Sequence, residues 1–253
     1  MNSVSVIDAH CHLDFKHFSK DRAAVMDRAR SAGIVEMINS GVDLPTNRRT
    51  MELVRQYPFL HATLGLSPNS LERFSNRDMS ELKDFIRSQA DDIIGVGEAG
   101  LDYYRVTDPA LRARQVSVFQ QMIDLAAELD KPLVIHARDT EEQAFQMVKD
   151  QKKVVFHCYS GSLATMKQIA DKGFYISIAT VVCRSVPHQA VARQVPIDQL
   201  LIETDSPFLS PRRGRNEPAF VLDSVQLIAR LRGMTPEALA DATVRNTRRI
   251  YGI

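Results

Sequence analysis

Six residues carry side chains suited to holding divalent cations: His10, His12, Glu98, His136, His157 and Asp205. His10 and His12 stand two apart in VIDAHCH. In extended chain, residues i and i+2 point to the same side, so their imidazoles can grip one cation together. His136 in PLVIHA and His157 in VVFHC lie in apolar runs, where an imidazole needs a partner to offset its desolvation. Each residue alone has an ordinary reading. An HxH pair occurs without metal, a strand-end glutamate can cap a loop, and a core histidine can bond to backbone. Together, six such residues at five strand ends point to a metal centre. Mixed imidazole and carboxylate donors suit Zn²⁺, Mn²⁺ or Fe²⁺, and Mg²⁺ less comfortably. Six donors exceed one tetrahedral set and fit two ions sharing a bridging carboxylate. The expected assignment places His10, His12 and Asp205 on one ion, His136 and His157 on the other, and Glu98 between them. Asp205 then stands beside a metal-activated water as the candidate general base, with Glu98 its catalytic companion.

The elements that must position these residues alternate along the chain. Short apolar runs rich in Val and Ile cover 4–9, 34–40, 60–66, 93–98, 133–137, 154–158, 175–180 and 200–204. That composition is expected of parallel strands buried on both faces. Between them lie helix candidates. Residues 108–129 open with Asp108 as N-cap and Pro109 in the first turn, then keep helical spacing through Val116, Phe119, Met122, Ile123 and Ala126. Segments 19–32 and 162–172 each run from a serine to a glycine stop, and 218–232 and 236–250 complete the series. Eight such repeats predict an α/β fold, a (β/α)8 TIM barrel formed as a single domain over 1–253, with a doubly wound open sheet as the alternative. In a barrel, the candidate ligands converge at the C-terminal face. GVGEAG (95–100) resembles a dinucleotide-binding fingerprint and is set aside as one.

Composition narrows the setting. The 253 residues are 44% hydrophobic and 25% charged, ordinary values for a globular chain. No apolar run reaches the roughly 18 residues of a membrane span, and MNSVSVIDAHCH lacks the basic and apolar regions of a leader. The three cysteines, Cys11, Cys158 and Cys183, form no CxxC pair. A cytoplasmic protein with reduced thiols, without membrane association and monomeric, is expected. The net charge of +1 argues against binding nucleic acid over a broad basic face, so such a substrate would be held locally.

Five motifs in order, IDAHCHLD, GVGEAGLDYY, PLVIHARD, FHCYSG and LIETDSPFLSPRRGRNEP, resemble the signatures of the TatD family of metal-dependent deoxyribonucleases, within the amidohydrolase superfamily. The similarity spans essentially the whole chain. It implies a TIM barrel, one or two divalent ions (Zn, Mg or Mn), and phosphodiester hydrolysis, typically 3′–5′ exonuclease action on DNA. The family's metal ligands match His10, His12, Glu98, His136, His157 and Asp205. One motif departs. Where the family carries a GxHPH-like segment, this chain reads GLSPNS, with Ser67 and Asn69 in place of histidines thought to face substrate. A Ser/Asn pair can donate hydrogen bonds but carries no charge. SIATVV also lacks the Ser-Gly common after the seventh strand.

Other residues have substrate-side readings beside plainer ones. Arg138 can reach a phosphate oxygen or pair with Asp139. Arg212, Arg213 and Arg215 form a basic loop after Asp205, with Arg213 assigned to substrate. Asn216-Glu217-Pro218 fixes that loop. Tyr103 and Tyr104 follow Glu98, and Tyr104 is placed as a base-stacking platform. Cys11 and Cys158, beside ligand candidates, should point away from the site. His17, His61 and His188 read as structural or exposed. The leading expectation is a phosphodiesterase acting on DNA. The alternatives are a metal-dependent hydrolase of an ester, lactone or amide, and a metal-binding barrel without turnover.

Overall fold

Eight parallel strands pair in sequence order in the computed structural model, which describes residues 4–253. The opening MNS, part of the segment read for a leader, lies outside the described residues. The strands are β1 (Val6–Cys11), β2 (Ile34–Ser40), β3 (Leu60–Leu66), β4 (Gly95–Asp102), β5 (Leu133–Arg138), β6 (Val154–Phe156), β7 (Tyr175–Ala179) and β8 (Leu200–Glu203). The ring closes where β1 meets the chain just after β8. There the Asp205 N–H donates to the His10 carbonyl at 2.9 Å, and the His12 N–H to the Ser206 carbonyl at 2.8 Å. Asp8 reinforces this seam, accepting from the Thr204 N–H (2.9 Å) and hydroxyl (2.6 Å). The architecture is the expected barrel, not an open sheet.

Helices α1 (Arg22–Ser31), α2 (Leu44–Gln56), α3 (Asn76–Ser88), α4 (Pro109–Glu128), α5 (Glu141–Val148), α6 (Leu163–Asp171), α7 (Val186–Gln194), α8 (Val221–Arg232) and α9 (Pro236–Tyr251) pack outside. Their starts follow the sequence signals. The Asp108 side chain accepts from the Ala110 and Leu111 N–H groups, and Ser162 accepts from Thr165. The first helix departs from expectation. Residues 16–18 form a 3-10 turn and Asp21, not Ser19, precedes α1. No helix among the described residues is long and apolar enough to cross a membrane.

Strand β4 extends further than its apolar run, so Glu98 stands inside the strand rather than at its end. Ala99 to Asp102 pair with Ile135 to Arg138 of β5. This close approach requires glycine: a β-carbon on Gly100, at φ +148°, would collide with the His136 carbonyl oxygen. Residues 95–100 satisfy the G-x-G-x-x-G spacing in full. What excludes a dinucleotide loop is their position inside a paired strand, with no helix N terminus opening beneath them.

The barrel interior is layered. Ile38, Val134, Val155, Tyr175 and Leu201 form an apolar tier, capped by Ile250 and Tyr251 of α9. Two residues further along the same segments stand Ser40, His136, His157, Ser177 and Glu203, with His157 immediately after β6. The period of two in extended chain puts both sets on the inner face. A larger apolar core lies between sheet and helices.

Candidate metal centre

The six ligand candidates meet at the C-terminal mouth of the barrel. His10, His12 and Asp205 place one donor atom each within 4.8 Å of one another, and so do Glu98, His136 and His157. Glu98 spans the two groups. Its Oε2 lies 3.4 Å from His10 Nε2 and 3.5 Å from His12 Nε2, and its Oε1 lies 3.3 Å from His136 Nδ1. Asp205 Oδ1 is 3.4 Å from His12 Nε2 and 4.0 Å from His10 Nε2. Asp205 sits at φ +56°, a left-handed conformation that aspartate tolerates better than most residues.

The outward nitrogen of each imidazole is already engaged. His12 Nδ1 donates to the Ser40 carbonyl at 2.7 Å, and His10 Nδ1 lies 3.1 Å from the Ser40 hydroxyl. His136 Nε2 lies 3.0 Å from Asp102 Oδ2, and His157 Nδ1 3.3 Å from Glu203 Oε1. These partners fix ring orientation and direct the inner nitrogens toward the centre. His136 therefore presents Nδ1, while the other three present Nε2. As a result, inner nitrogens face each other at 3.3 Å in the pairs His10–His12 and His136–His157.

The charge balance fits cations as well. Burial opposes protonation of His12, but Asp205 and Glu98 outweigh it and push its pKa up to about 9. Burial likewise opposes protonation of His157, and Glu203 and Glu98 push it up to about 9. The carboxyls respond in kind. Burial alone would raise Glu98, yet His10 and the neighbouring imidazoles hold it well below its ordinary value. Asp205 is lowered too, its burial overcome by His12 and the nearby histidines. His10 is lowered, by burial and by the charge of His157. A field that draws protons onto buried imidazoles draws metal ions more strongly, and the donor set suits them.

Above the cluster opens a cavity of about 610 Å³, a volume typical of ligand sites. Of the residues expected to meet substrate, Ser67, Asn69 and Arg138 line it. Ser67 Oγ donates to Glu98 Oε1 at 2.8 Å, and Asn69 Nδ2 donates to Asp102 Oδ2 at 3.1 Å. Both are thus turned toward the candidate ligands. The Arg138 guanidinium lies 3.7 Å from the centre of the Tyr104 ring, while Tyr104 itself is 60% exposed outside the cavity. Arg213 lines a separate cleft. Its neighbours are committed elsewhere, Arg212 to Asp223 at 2.8 Å and Arg215 to Asp21 at 2.7 Å.

Cys158 does not point away from the site. It lines the cavity, because φ of +47° turns the chain immediately after β6 and breaks the strand alternation. Cys11 follows the alternation, with Sγ directed to the Ile38 carbonyl at 3.4 Å. His188 lines the cavity with Nδ1 2.6 Å from Ser185 Oγ, and burial lowers its pKa. Asn216 does fix its loop, donating to the carbonyls of Thr204 (2.8 Å) and Phe208 (2.6 Å).

The sequence reading missed the carboxylates behind the ligands and the cavity residue Arg105. Asp8 repeats the two-residue step of the HxH pair, so its inward placement had a visible signal. Asp102 and Glu203 had only their closeness to Glu98 and Asp205. Arg105, which lines the cavity, had none.

Comparison with known proteins agrees with this geometry. A family model described as TatD related DNase matches residues 7–252. An uncharacterized metal-dependent hydrolase of Methanocaldococcus jannaschii is 34% identical over 252 residues, covering 99% of this chain and 98% of that protein. The 3′-5′ ssDNA/RNA exonuclease TatD of Salmonella typhimurium is 31% identical over 263 residues, covering 98% and 99%. Among solved structures, the TatD homolog YjjV of Escherichia coli superposes with a TM-score of 0.92 at 28% identity, over 98% of both chains. The chain belongs to the TatD-related DNase family of metal-dependent hydrolases.

Proposed function

We propose that the protein hydrolyses phosphodiester bonds of nucleic acid as a 3′–5′ exonuclease, using two divalent ions held by His10, His12 and Asp205 and by Glu98, His136 and His157. The observation that carries this reading is the pair of three-donor groups joined by Glu98 beneath a cavity that Arg105 and Arg138 also line. Three protein donors per ion leave coordination positions open to substrate. When bound, the ions supply positive charge to the phosphoryl oxygens and acidify water.

The chain's own residues do the rest. Asp205 is held ionised by His12, so its carboxylate accepts the proton of the attacking water. Glu98 keeps the two groups in register, and the Ser67 hydroxyl fixes the rotamer of its Oε1 side. Arg138 and Arg105 orient the non-bridging phosphate oxygens. Stacking on Tyr104 restricts the Arg138 guanidinium. Arg213 contributes further along the substrate.

A second reading, hydrolysis of a carboxylic ester, lactone or amide, is favoured by one observation. Ser67 and Asn69, turned toward Glu98 and Asp102, are neutral, which leaves that wall of the cavity without a cation. The two readings separate in one experiment. Protein loaded in turn with Mg²⁺, Mn²⁺ and Zn²⁺ is incubated with 3′- and 5′-labelled single- and double-stranded DNA, with Asp205→Asn in parallel. Stepwise shortening from the 3′ end that the substitution abolishes is the expected result. Absence of cleavage with every metal would remove the nuclease reading.

A further inference from the structure

We propose that the loop after β8, residues 206–214, forms a track for an unpaired nucleic-acid strand: Phe208 takes a base at the cavity mouth, and Arg184 and Arg213 take the phosphate of the neighbouring nucleotide. This inference rests on the phosphodiesterase reading and extends it to the substrate beyond the scissile bond.

Phe208 is a large apolar side chain left 42% exposed, and it lines the cavity that holds Asp205. Its ring is set among others. Phe15 lies 6.0 Å away at an interplanar angle of 75°, His17 5.9 Å away at 73°, and the ligand candidate His12 6.4 Å away at 63°. The backbone holds the ring in place. The Phe208 N–H donates to the Asp205 carbonyl at 2.9 Å, and its carbonyl accepts from buried Asn216. An aromatic fixed three residues from the general base is preorganised for stacking. Tyr104 is less suited, since Arg138 covers its ring and it stands outside the cavity.

At Leu209 the chain reverses, with φ of +56° and its carbonyl bonded to Thr180 Oγ1 at 2.9 Å. Leu209 lines both the cavity and a neighbouring cleft of about 530 Å³, so the two spaces share a wall. The cleft carries Arg184, Arg212 and Arg213 and no carboxylate. Arg212 is neutralised by Asp223. Arg184 and Arg213 are exposed, and among the described residues neither side chain has a hydrogen bond or ion pair. Two unpaired guanidiniums beside an aromatic platform match the repeat of a polynucleotide, base then phosphate. The near-neutral net charge makes such local contacts necessary. A duplex does not fit, because its bases are already stacked on both faces and cannot offer one to Phe208.

The test measures binding of fluorescein-labelled oligothymidylate by anisotropy to Mg²⁺-loaded protein carrying Asp205→Asn, which slows turnover. Phe208→Leu, which keeps bulk but loses the π face, should weaken binding about tenfold, and Phe208→Trp should retain it. The double variant Arg184→Ala/Arg213→Ala should lower the slope of log affinity against log salt by about 1.4. Arg230→Ala, on the exposed side of α8, should bind like the parent. Binding within about twofold of the parent for both Phe208→Leu and the arginine pair overturns the track, as does equal affinity for a blunt duplex or no binding at all. Turnover of a small chromogenic phosphodiester by protein with native Asp205 is measured separately. Its absence would count against the phosphodiesterase reading alone, whereas turnover without Phe208 or arginine dependence of binding would count against the track alone.

Discussion

Two tiers of the barrel interior sit one strand step apart and do opposite work. The lower tier, Ile38, Val134, Val155, Tyr175 and Leu201, is apolar and closed from below by Tyr251. The upper tier, reached by adding two to the residue number, contains Ser40, His136, His157, Ser177 and Glu203. Apart from half-buried His136, both tiers are buried almost completely, yet one stabilises by removing hydrocarbon from water while the other concentrates groups that resist burial. The lesson is that the lower tier supplies the rigid, dry floor that lets the upper one hold its charges close. Each upper-tier histidine has a carboxylate behind it, Asp102 for His136 and Glu203 for His157.

Substitutions in each tier should separate activity from stability. The largest effect expected is at the mouth. Asp205→Asn should lower the hydrolytic rate by roughly 10²–10⁴-fold, measured as kcat on a phosphodiester, while circular dichroism shows the fold intact. An unchanged rate would remove Asp205 from the role of base. In the floor, Leu201→Ala should cost about 2–5 kcal/mol of folding stability, since Leu201 is wholly buried. Urea unfolding of the chelator-treated protein checks this, and a loss below about 1 kcal/mol would show that the tier collapses to fill the space.

Behind the ligands, Asp102→Asn should weaken metal affinity about 10–100-fold through the orientation of His136, read by competition with a chromogenic chelator. A structural role alone would lower stability without changing that affinity.

The smallest and most diagnostic effect is with pH. His12 and His157 are raised from 6.5 to about 9 in the folded chain, so in chelated protein their protonation stabilises the fold fully below pH 6.5. That contribution is lost as pH rises through about 9. Between those limits, metal binding should release protons, because ligating imidazoles must be neutral. Titration calorimetry at pH 7.5 in buffers of different ionisation enthalpy measures the release; a heat independent of buffer would contradict the raised values.

Much of this architecture was legible beforehand. The eight apolar runs and their capped helices are local properties, set by side-chain burial within a few residues, and each run formed a strand. The HxH pair followed from strand period alone. Less legible were features that depend on distant chain. Strand β4 runs on to Asp102 because β5 offers it partners, and Cys158 turns inward because its left-handed backbone breaks the alternation after β6. Ser67 and Asn69 could be seen to lack charge, but only the folded chain aims them at Glu98 and Asp102.

By itself the sequence determined which donor residue types lie in or just after the strands, and with them the donor chemistry, because strand period and helix capping act over short separations. Tertiary structure alone decided what each donor faces: Glu98 spanning both groups, Asp102 and Glu203 behind the histidines, Phe208 at the mouth. Those relations join residues tens to hundreds of positions apart. They exist only once eight strands close into a ring and the low-dielectric interior makes every polar contact count.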